Sequence, residues 1–200
     1  MANVFVGLDG EMTGGSRVVG GLPRLCQIGL SLGANDSFGS DIGWQVGDYT
    51  YEQEALNVNG FTHDRIISGP PAAEVDEAMY KWLTEHGIGP RDGVPVGFAV
   101  GSFDMPFVRE TLPKSADLFT RRCVDLTAIC FAIEEARRTF EQTPNNALMR
   151  SRWKQPSRAA KAYAEKVMGK AQWHDAEFDA IAALLCFQYL SSEIGRALFE

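Results

Sequence analysis

Two acidic residues at the end of an apolar run are the first feature of this sequence that could do chemistry. Asp9 and Glu11 follow residues 4–8, whose apolar character predicts a strand buried on both faces. Positions two apart on a strand point to the same side, so both carboxylates can converge on one point. Such a pair is costly unless a cation neutralises it, and its hard oxygen ligands favour Mg²⁺ or Mn²⁺ over zinc. Taken alone, an acidic pair of this kind more often faces solvent.

A third carboxylate follows another apolar run. Asp104 ends the segment Gly101-Ser102-Phe103-Asp104, directly after a strand predicted at residues 94–100. It therefore lies where a strand gives way to a helix, which is the usual place for a site on an α/β sheet. An aspartate at this position also fits a helix cap, which is the more common role.

A histidine and a fourth carboxylate lie near the start of the last predicted helix. Asp175 is a good N-cap, which puts His174 just outside the helix and Asp179 one turn inside it. Residues five apart cannot share one face of a regular helix, but from these two places they can reach one site from different directions. Histidine changes its charge near neutral pH and therefore suits a general base. The alternative is a histidine that only packs against or caps the helix.

The remaining patterns predict the elements that must position these residues. Further strands are predicted at residues 25–32, 42–47 and 123–125, and a Gly-rich loop or hairpin follows the first strand. Helices are predicted from a capping box at Thr50 and Gln53, and over residues 72–86, 103–112, 126–140, 157–168 and 175–190. Strands come first, and helices with interspersed strands follow. This order predicts one α/β domain over residues 1–200, with a mixed central sheet flanked by helices.

The distribution of charge bears on the kind of partner. A formal net charge of −7 argues against a protein that holds nucleic acid by bulk attraction, but not against an enzyme that acts on it. Between residues 146 and 170 the balance reverses, because seven basic residues are opposed only by Glu165. The basic residues are Arg150, Arg152, Lys154, Arg158, Lys161, Lys166 and Lys170. This stretch is either a solvated helix face or a patch that contacts phosphates.

Other features exclude several classes of protein. The four cysteines have neither C-x-x-C pairing nor histidine-rich surroundings, so we expect reduced, packed thiols and no zinc site. No apolar run reaches the roughly 18 residues of a membrane helix. The N-terminus lacks the basic start and apolar stretch of a signal peptide. We therefore expect a cytoplasmic protein with no membrane partner.

Together the three motifs resemble those of the DnaQ-like DEDDh 3′→5′ exonucleases, which are part of the ribonuclease H-like superfamily. The resemblance lies in the order and spacing of the Asp9–Glu11 pair, of Asp104, and of His174 with Asp179. Residues 25–29, 55–62 and 123–126 are also similar, so the likeness extends from residue 4 to about residue 190. It implies a ribonuclease H-like fold and an enzyme that releases nucleoside 5′-monophosphates from 3′ ends of single-stranded DNA or RNA.

The resemblance also assigns roles to individual residues. Four carboxylates would hold two Mg²⁺ or Mn²⁺ ions, and they belong to Asp9, Glu11, Asp104 and Asp179. His174 would be the general base. Five further residues would contact or enclose the terminal nucleotides, and these are Met12, Thr13, Asn59, Phe61 and Phe103. Two ions about 3.5–4 Å apart can serve both the attacking and the leaving oxygen of a phosphodiester.

One departure from the family pattern concerns the segment before Asp104. Many relatives carry His-Asn there, whereas this chain has Phe98-Ala99-Val100. The proposed metal ligands are unaffected by this change. The change does affect the hydrogen bonds around these ligands, so the rate and the substrate preference are left open.

Three alternatives stay open at the level of sequence. His63-Asp64 and His174-Asp175 suggest an HD-type phosphohydrolase, but the predicted strands and a total of three histidines argue against it. The second is a catalytically silent nucleic-acid-binding module of the same fold, although all five motif residues are present. The third is an oligoribonuclease-like enzyme that trims RNA, because Glu11-Met12-Thr13-Gly14 resembles those proteins. The sequence does not decide between DNA and RNA, or whether a polymerase or a second copy of the chain is a partner.

Overall fold

The computed structural model describes residues 3–15, 22–141, 156–169 and 173–199. The strands in these ranges are β1 (Val4–Met12), β2 (Leu25–Gly33), β3 (Asp36–Asp41), β4 (Gly93–Gly97) and β5 (Val124–Asp125). The helices are α1 (Gln53–Asn59), α2 (His63–Ser68), α3 (Ala72–Glu85), α4 (Asp104–Thr111), α5 (Pro113–Ala116), α6 (Leu126–Glu141), α7 (Pro156–Met168) and α8 (Ala176–Phe199). None of these helices combines the length and apolar character that crossing a membrane requires.

The five strands form one mixed sheet in the order β3-β2-β1-β4-β5. β1 lies at its centre and pairs antiparallel with β2 and parallel with β4. β3 extends the antiparallel side, and β5 extends the parallel side. Helices α3, α4 and α5 bury their apolar side chains in one core cluster, and α6, α7 and α8 bury theirs in another. The predicted fold class, a mixed central sheet flanked by helices, is confirmed. The assignment of residues 1–200 to a single domain stays a prediction.

The central strand continues beyond the end that its apolar run predicts. The apolar run covers residues 4–8, and the sequence places Asp9 and Glu11 at the end of this strand. Backbone pairing with β2 carries the strand on to Met12, with Asp9 opposite Gly29 and Glu11 opposite Gln27. Both carboxylates are therefore fixed on a paired strand in the middle of the sheet.

The predicted third strand at residues 42–47 is wrong. The strand that pairs with the outer side of β2 is β3 (Asp36–Asp41), which follows a tight turn and ends before the predicted range begins. β3 lies at the edge of the sheet, and its polar, half-buried residues have none of the apolar pattern on which the prediction depends. Ile42 is buried, but the chain beyond it leaves the sheet.

The predicted capping box at Thr50 is also wrong. Helix α1 begins at Gln53 after Glu52, and no side-chain hydrogen bond caps it. The Thr50 hydroxyl instead accepts a hydrogen bond from the backbone N–H of Leu22, at 2.7 Å.

The last helix is longer than the predicted 175–190, because α8 continues to Phe199.

Helix α8 lies unusually close to the sheet. A β-carbon added at Gly29 would lie 1.9 Å from the backbone oxygen of Ala176, and one at Gly7 would lie 2.1 Å from that of Ala180. These distances are too short for any side chain, so glycine at both positions is what admits the helix backbone. Gly7, Asp9 and Glu11 share one face of β1, since they are two residues apart. The first turns of α8 therefore cover the face that carries the acidic pair.

Replacing Gly29 with alanine is predicted to destabilise the protein. The added methyl group would meet backbone rather than a flexible side chain, so the helix must move away from the sheet. Overpacking of this kind costs roughly 1–3 kcal/mol, which urea denaturation measures as a lower midpoint. Gly33→Ala is the matched control, because it lies in the same strand and no atom comes within 4 Å of its added β-carbon. Equal midpoints for the two variants would contradict this account of the helix position.

Candidate active site

Asp104 is positioned by a turn that the sequence did not predict. β4 ends at Gly97 rather than at residue 100, and the chain turns through Ala99, whose φ is +58°. A side chain is strained in this left-handed conformation, and the Asp125 carboxylate stabilises it by accepting the Ala99 N–H at 3.1 Å. The turn ends where α4 begins. Asp104 is buried there, and its Oδ1 accepts a hydrogen bond from the backbone N–H of Gly10, at 3.1 Å. The third carboxylate thus lies against the segment that carries the first two.

His174 and Asp179 are held by the cap of α8. The Asp175 carboxylate accepts the N–H of Phe178 at 3.1 Å, which makes Asp175 the N-cap that the sequence predicts. His174 precedes it with a φ of +69°. Its backbone N–H donates to Asp179 Oδ2 at 2.8 Å, so the histidine and the aspartate are joined directly.

Gln27 attaches the start of α8 to the sheet, and sequence reasoning missed this role. Its side-chain oxygen accepts the N–H of Ala176 at 2.9 Å, and its side-chain nitrogen donates to Asp175 Oδ2 at 3.4 Å. Gln27 is buried and pairs with Glu11 across the two central strands. The only signal for it was its place in the segment 25–29 that resembles the exonucleases.

All five predicted catalytic residues line one cavity of about 430 Å³. Side-chain ligand atoms of Glu11, His174 and Asp179 lie within 4.8 Å of one another. Asp9 and Asp104 line the same cavity. Four lining residues that were not predicted for this site are Gly10, Phe98, Lys161 and Trp173.

Burial and mutual repulsion make the ionised carboxylates unfavourable. Burial raises the pKa of Asp9, and the negative charges of its neighbours Asp104, Asp179 and Glu11 raise it further. Burial, followed by the charge of Asp179, raises the pKa of Glu11 to about 7. Burial also raises the pKa of Asp104 to about 7 and that of Asp179 to about 6. The cluster therefore retains protons near neutral pH unless a cation compensates its charge.

The donor set fits hard divalent cations. Among the described residues, Asp179 Oδ1 is a buried side-chain oxygen that has no hydrogen-bond partner. Buried polar atoms are rarely left unsatisfied, so this oxygen is available to a ligand. Four converging carboxylates supply oxygen ligands and negative charge, which is the chemistry that Mg²⁺ and Mn²⁺ prefer. Asp9, Glu11, Asp104 and Asp179 are the residues that could hold such ions.

The predicted substrate-contacting residues divide into two groups. Met12, Asn59 and Phe103 line a second cavity of about 290 Å³, which shares Gly10, Glu11 and Phe103 with the first. Thr13 and Phe61 are buried and line neither cavity. The Thr13 hydroxyl donates to the backbone oxygen of Thr50 and accepts the N–H of Arg24. The Phe61 ring lies 3.8 Å beneath the Arg65 guanidinium. Their contacts with substrate stay predictions.

Comparison with known proteins identifies the fold. The chain matches no protein-family model, and no curated protein sequence matches it. It is similar in structure to E. coli exonuclease I in complex with a dT13 oligonucleotide, with a TM-score of 0.61 and 14% identity over 98% of this chain. It spans only 42% of exonuclease I.

Two smaller proteins are similar over most of both chains. S. pombe Pop2p, in a form with Mg²⁺ and Mn²⁺ bound, has a TM-score of 0.61 and 15% identity over 95% of this chain and 83% of Pop2p. The nuclease domain of 3′hExo, a DEDDh family member bound to rAMP, has a TM-score of 0.57 and 13% identity over 94% of this chain and 92% of that domain. The protein therefore has the DnaQ-like exonuclease fold, as the sequence motifs predict.

The metal-free protein is predicted to lose stability as the pH rises from about 5 to 8. The carboxyl pKa values are raised in the folded state, so the folded chain binds more protons than the unfolded chain across this window, and stability falls as they dissociate. Melting temperatures in chelator measure the fall. Glu11→Gln should reduce it, whereas Glu74→Gln, at an exposed position of α3, should not. A melting temperature that rises across the window would contradict the raised pKa values.

Proposed function

We propose that the protein is a 3′→5′ exonuclease that hydrolyses phosphodiester bonds at the ends of single-stranded DNA or RNA and releases nucleoside 5′-monophosphates. The observation that carries the proposal is the single cavity in which four carboxylates and His174 meet. The fold supports it, because the similar structures include an exonuclease with a bound oligonucleotide and a DEDDh nuclease domain with bound rAMP. A fold alone does not fix an activity, so the cavity chemistry is the stronger argument.

Asp9, Glu11, Asp104 and Asp179 would hold two divalent ions. Bound there, Mg²⁺ or Mn²⁺ supplies charge stabilisation and an acidified water for attack on phosphorus. The unpartnered Asp179 Oδ1 and the raised carboxyl pKa values support this assignment, since both describe a site that lacks positive charge. Pop2p, which has a TM-score of 0.61 to this chain, is known in a form with Mg²⁺ and Mn²⁺ bound.

His174 would act as the general base. Its exposed imidazole lines the cavity, and the hydrogen bond from its backbone N–H to Asp179 fixes its place beside the carboxylates. A neutral imidazole nitrogen takes the proton from the attacking water, and the imidazolium then releases it to solvent. The adjoining cavity, lined by Met12, Asn59 and Phe103, would receive the terminal nucleotide.

A direct test uses single-stranded DNA and RNA of equal length, each labelled in separate preparations at the 5′ or the 3′ end. The proposal predicts a ladder of 5′-labelled products that shorten one nucleotide at a time, and early release of the labelled mononucleotide from the 3′-labelled strand. Both require Mg²⁺ or Mn²⁺ and are abolished by chelator. Binding without cleavage would instead favour a silent nucleic-acid-binding module. Preference for very short RNA would favour an oligoribonuclease-like enzyme.

His174→Ala is predicted to reduce kcat by roughly 10²–10⁴-fold, the usual contribution of a positioned acid–base group. The wild-type rate should rise with pH and then level off, because only the neutral imidazole accepts a proton. The variant should lose this part of the profile while it keeps its affinity for metal ions. Single-turnover rates and melting temperatures on the same preparations give the comparison.

His63→Ala is the matched control for this prediction. His63 is an exposed histidine of α2 that contacts Tyr49 and lies outside the cavity. Its replacement should leave the rate and the pH profile unchanged. A His174→Ala protein that melts earlier but turns over at the wild-type rate would show that His174 has only a structural role.

A further inference from the structure

Lys161 is a cation in a cavity otherwise dominated by carboxylates. It lies on α7, in the basic stretch whose role the sequence leaves open, and it lines the same cavity as the four acidic residues and His174. Among the described residues that line this cavity, it is the only lysine or arginine. Its side chain is exposed, so a ligand in the cavity can reach it.

Two aromatic rings hold the ammonium group in place. Lys161 Nζ lies 4.7 Å from the centroid of the Trp173 ring and 5.0 Å from that of Phe98. Both distances are within the range of a cation–π interaction. Trp173 is itself attached to α7, because its Nε1 donates to Glu165 Oε1 at 2.7 Å. Lys161 and Glu165 are four residues apart and lie on the same face of α7, so both side chains contact Trp173.

The charge of Lys161 is not used by an ion pair within the described residues. No carboxylate in the ranges that the structure describes lies within salt-bridge distance of Nζ. The charge nevertheless reaches the site. Burial is the largest cause of the raised pKa of both Asp9 and Asp179. The positive charge of Lys161 acts to lower the pKa of each. The aromatic rings thus keep a cation close to the carboxylates without letting it pair with one.

We propose that Lys161 binds a non-bridging oxygen of the scissile phosphate of the nucleic-acid substrate. The inference rests on the proposed exonuclease function. A phosphodiester that enters this cavity meets four carboxylates, and an unpaired ammonium group offers it both attraction and a charge-assisted hydrogen bond. Phe98 occupies part of the segment where many relatives carry His-Asn, and in this chain its ring forms one side of the lysine's aromatic support. The residue that departs from the family pattern, Phe98, is therefore one of the two that support the Lys161 side chain.

A different role would be that of a counter-charge which stabilises the carboxylates in the metal-free protein. Removal of such a charge would lower the melting temperature in chelator, where the acidic cluster has no metal ion. It would not change how many salt ions are displaced when nucleic acid binds. The dependence of binding on salt concentration therefore separates a phosphate contact from a structural counter-charge.

The experiment compares Lys161→Met, Lys161→Arg and the control Lys166→Met, an exposed lysine of the same helix that lies outside the cavity. Equilibrium binding of a single-stranded oligonucleotide is measured over a series of salt concentrations, with Ca²⁺ in place of Mg²⁺ and the intactness of the strand checked afterwards. Each phosphate contact on a single strand contributes about 0.7 to the slope of log K against log salt. The slope should therefore fall by about 0.7 in Lys161→Met, and Lys161→Arg and Lys166→Met should keep it.

Kinetics on the same variants give the second readout. In Mg²⁺, kcat/KM should fall roughly ten- to a hundredfold in Lys161→Met, as expected for a lost hydrogen bond to a charged group, and Lys161→Arg should recover most of it. An unchanged slope and rate in Lys161→Met, with wild-type cleavage intact, would overturn the role of Lys161 alone. An equal loss in Lys166→Met would assign the effect to the general charge of α7 and would overturn it too. A wild-type protein that neither binds nor cleaves would overturn the exonuclease proposal, and this inference with it.

Discussion

The site depends on the close packing of α8 against the central strands. The helix backbone can approach because Gly7 and Gly29 leave room that any side chain would fill. Gln27 then fixes the start of the helix through the Ala176 N–H. From this position the first turn brings Asp179 over the face of β1 that carries Asp9 and Glu11. Without this contact the acidic pair would lie on an uncovered strand, and His174 and Asp179, which the cap of α8 holds together, would not face it.

The same packing creates an electrostatic conflict. Covering the acidic pair removes water from it, and Asp104 and Asp179 add further negative charge at the point of burial. The hydrogen bonds that Asp104 and Asp179 accept from backbone N–H groups relieve this only in part, because the pKa values stay above the ordinary carboxyl range. Such frustration is typical of functional sites, where stability is given up for an arrangement that a ligand completes. Lys161 brings positive charge nearby, and this charge acts to lower the pKa of Asp9 and Asp179.

Much of this arrangement follows from local rules in the sequence. The two-residue period of a strand places Asp9 and Glu11 together, and the capping preference of Asp175 places His174 outside the helix and Asp179 within it. What could not be predicted depends on contacts between distant residues. The left-handed turn at Ala99 is stabilised by Asp125. Gln27 holds helix α8 through a hydrogen bond to Ala176, which is 149 residues away in the sequence. Edge strand β3 could not be predicted because it lacks an apolar pattern. The place of Lys161 in the cavity could not be predicted because its stretch of basic residues also fits an ordinary solvated helix face.

Titration calorimetry with Mn²⁺ at neutral pH tests the central claim most directly, namely that the converging carboxylates form a divalent-metal site. Two ions should bind saturably to each wild-type chain. Asp9→Ala should lose that binding and still be folded by circular dichroism, because the substitution removes a ligand and relieves repulsion in the cluster. Wild-type protein that binds no Mn²⁺, or an Asp9→Ala variant that binds it as wild type does, would contradict the account.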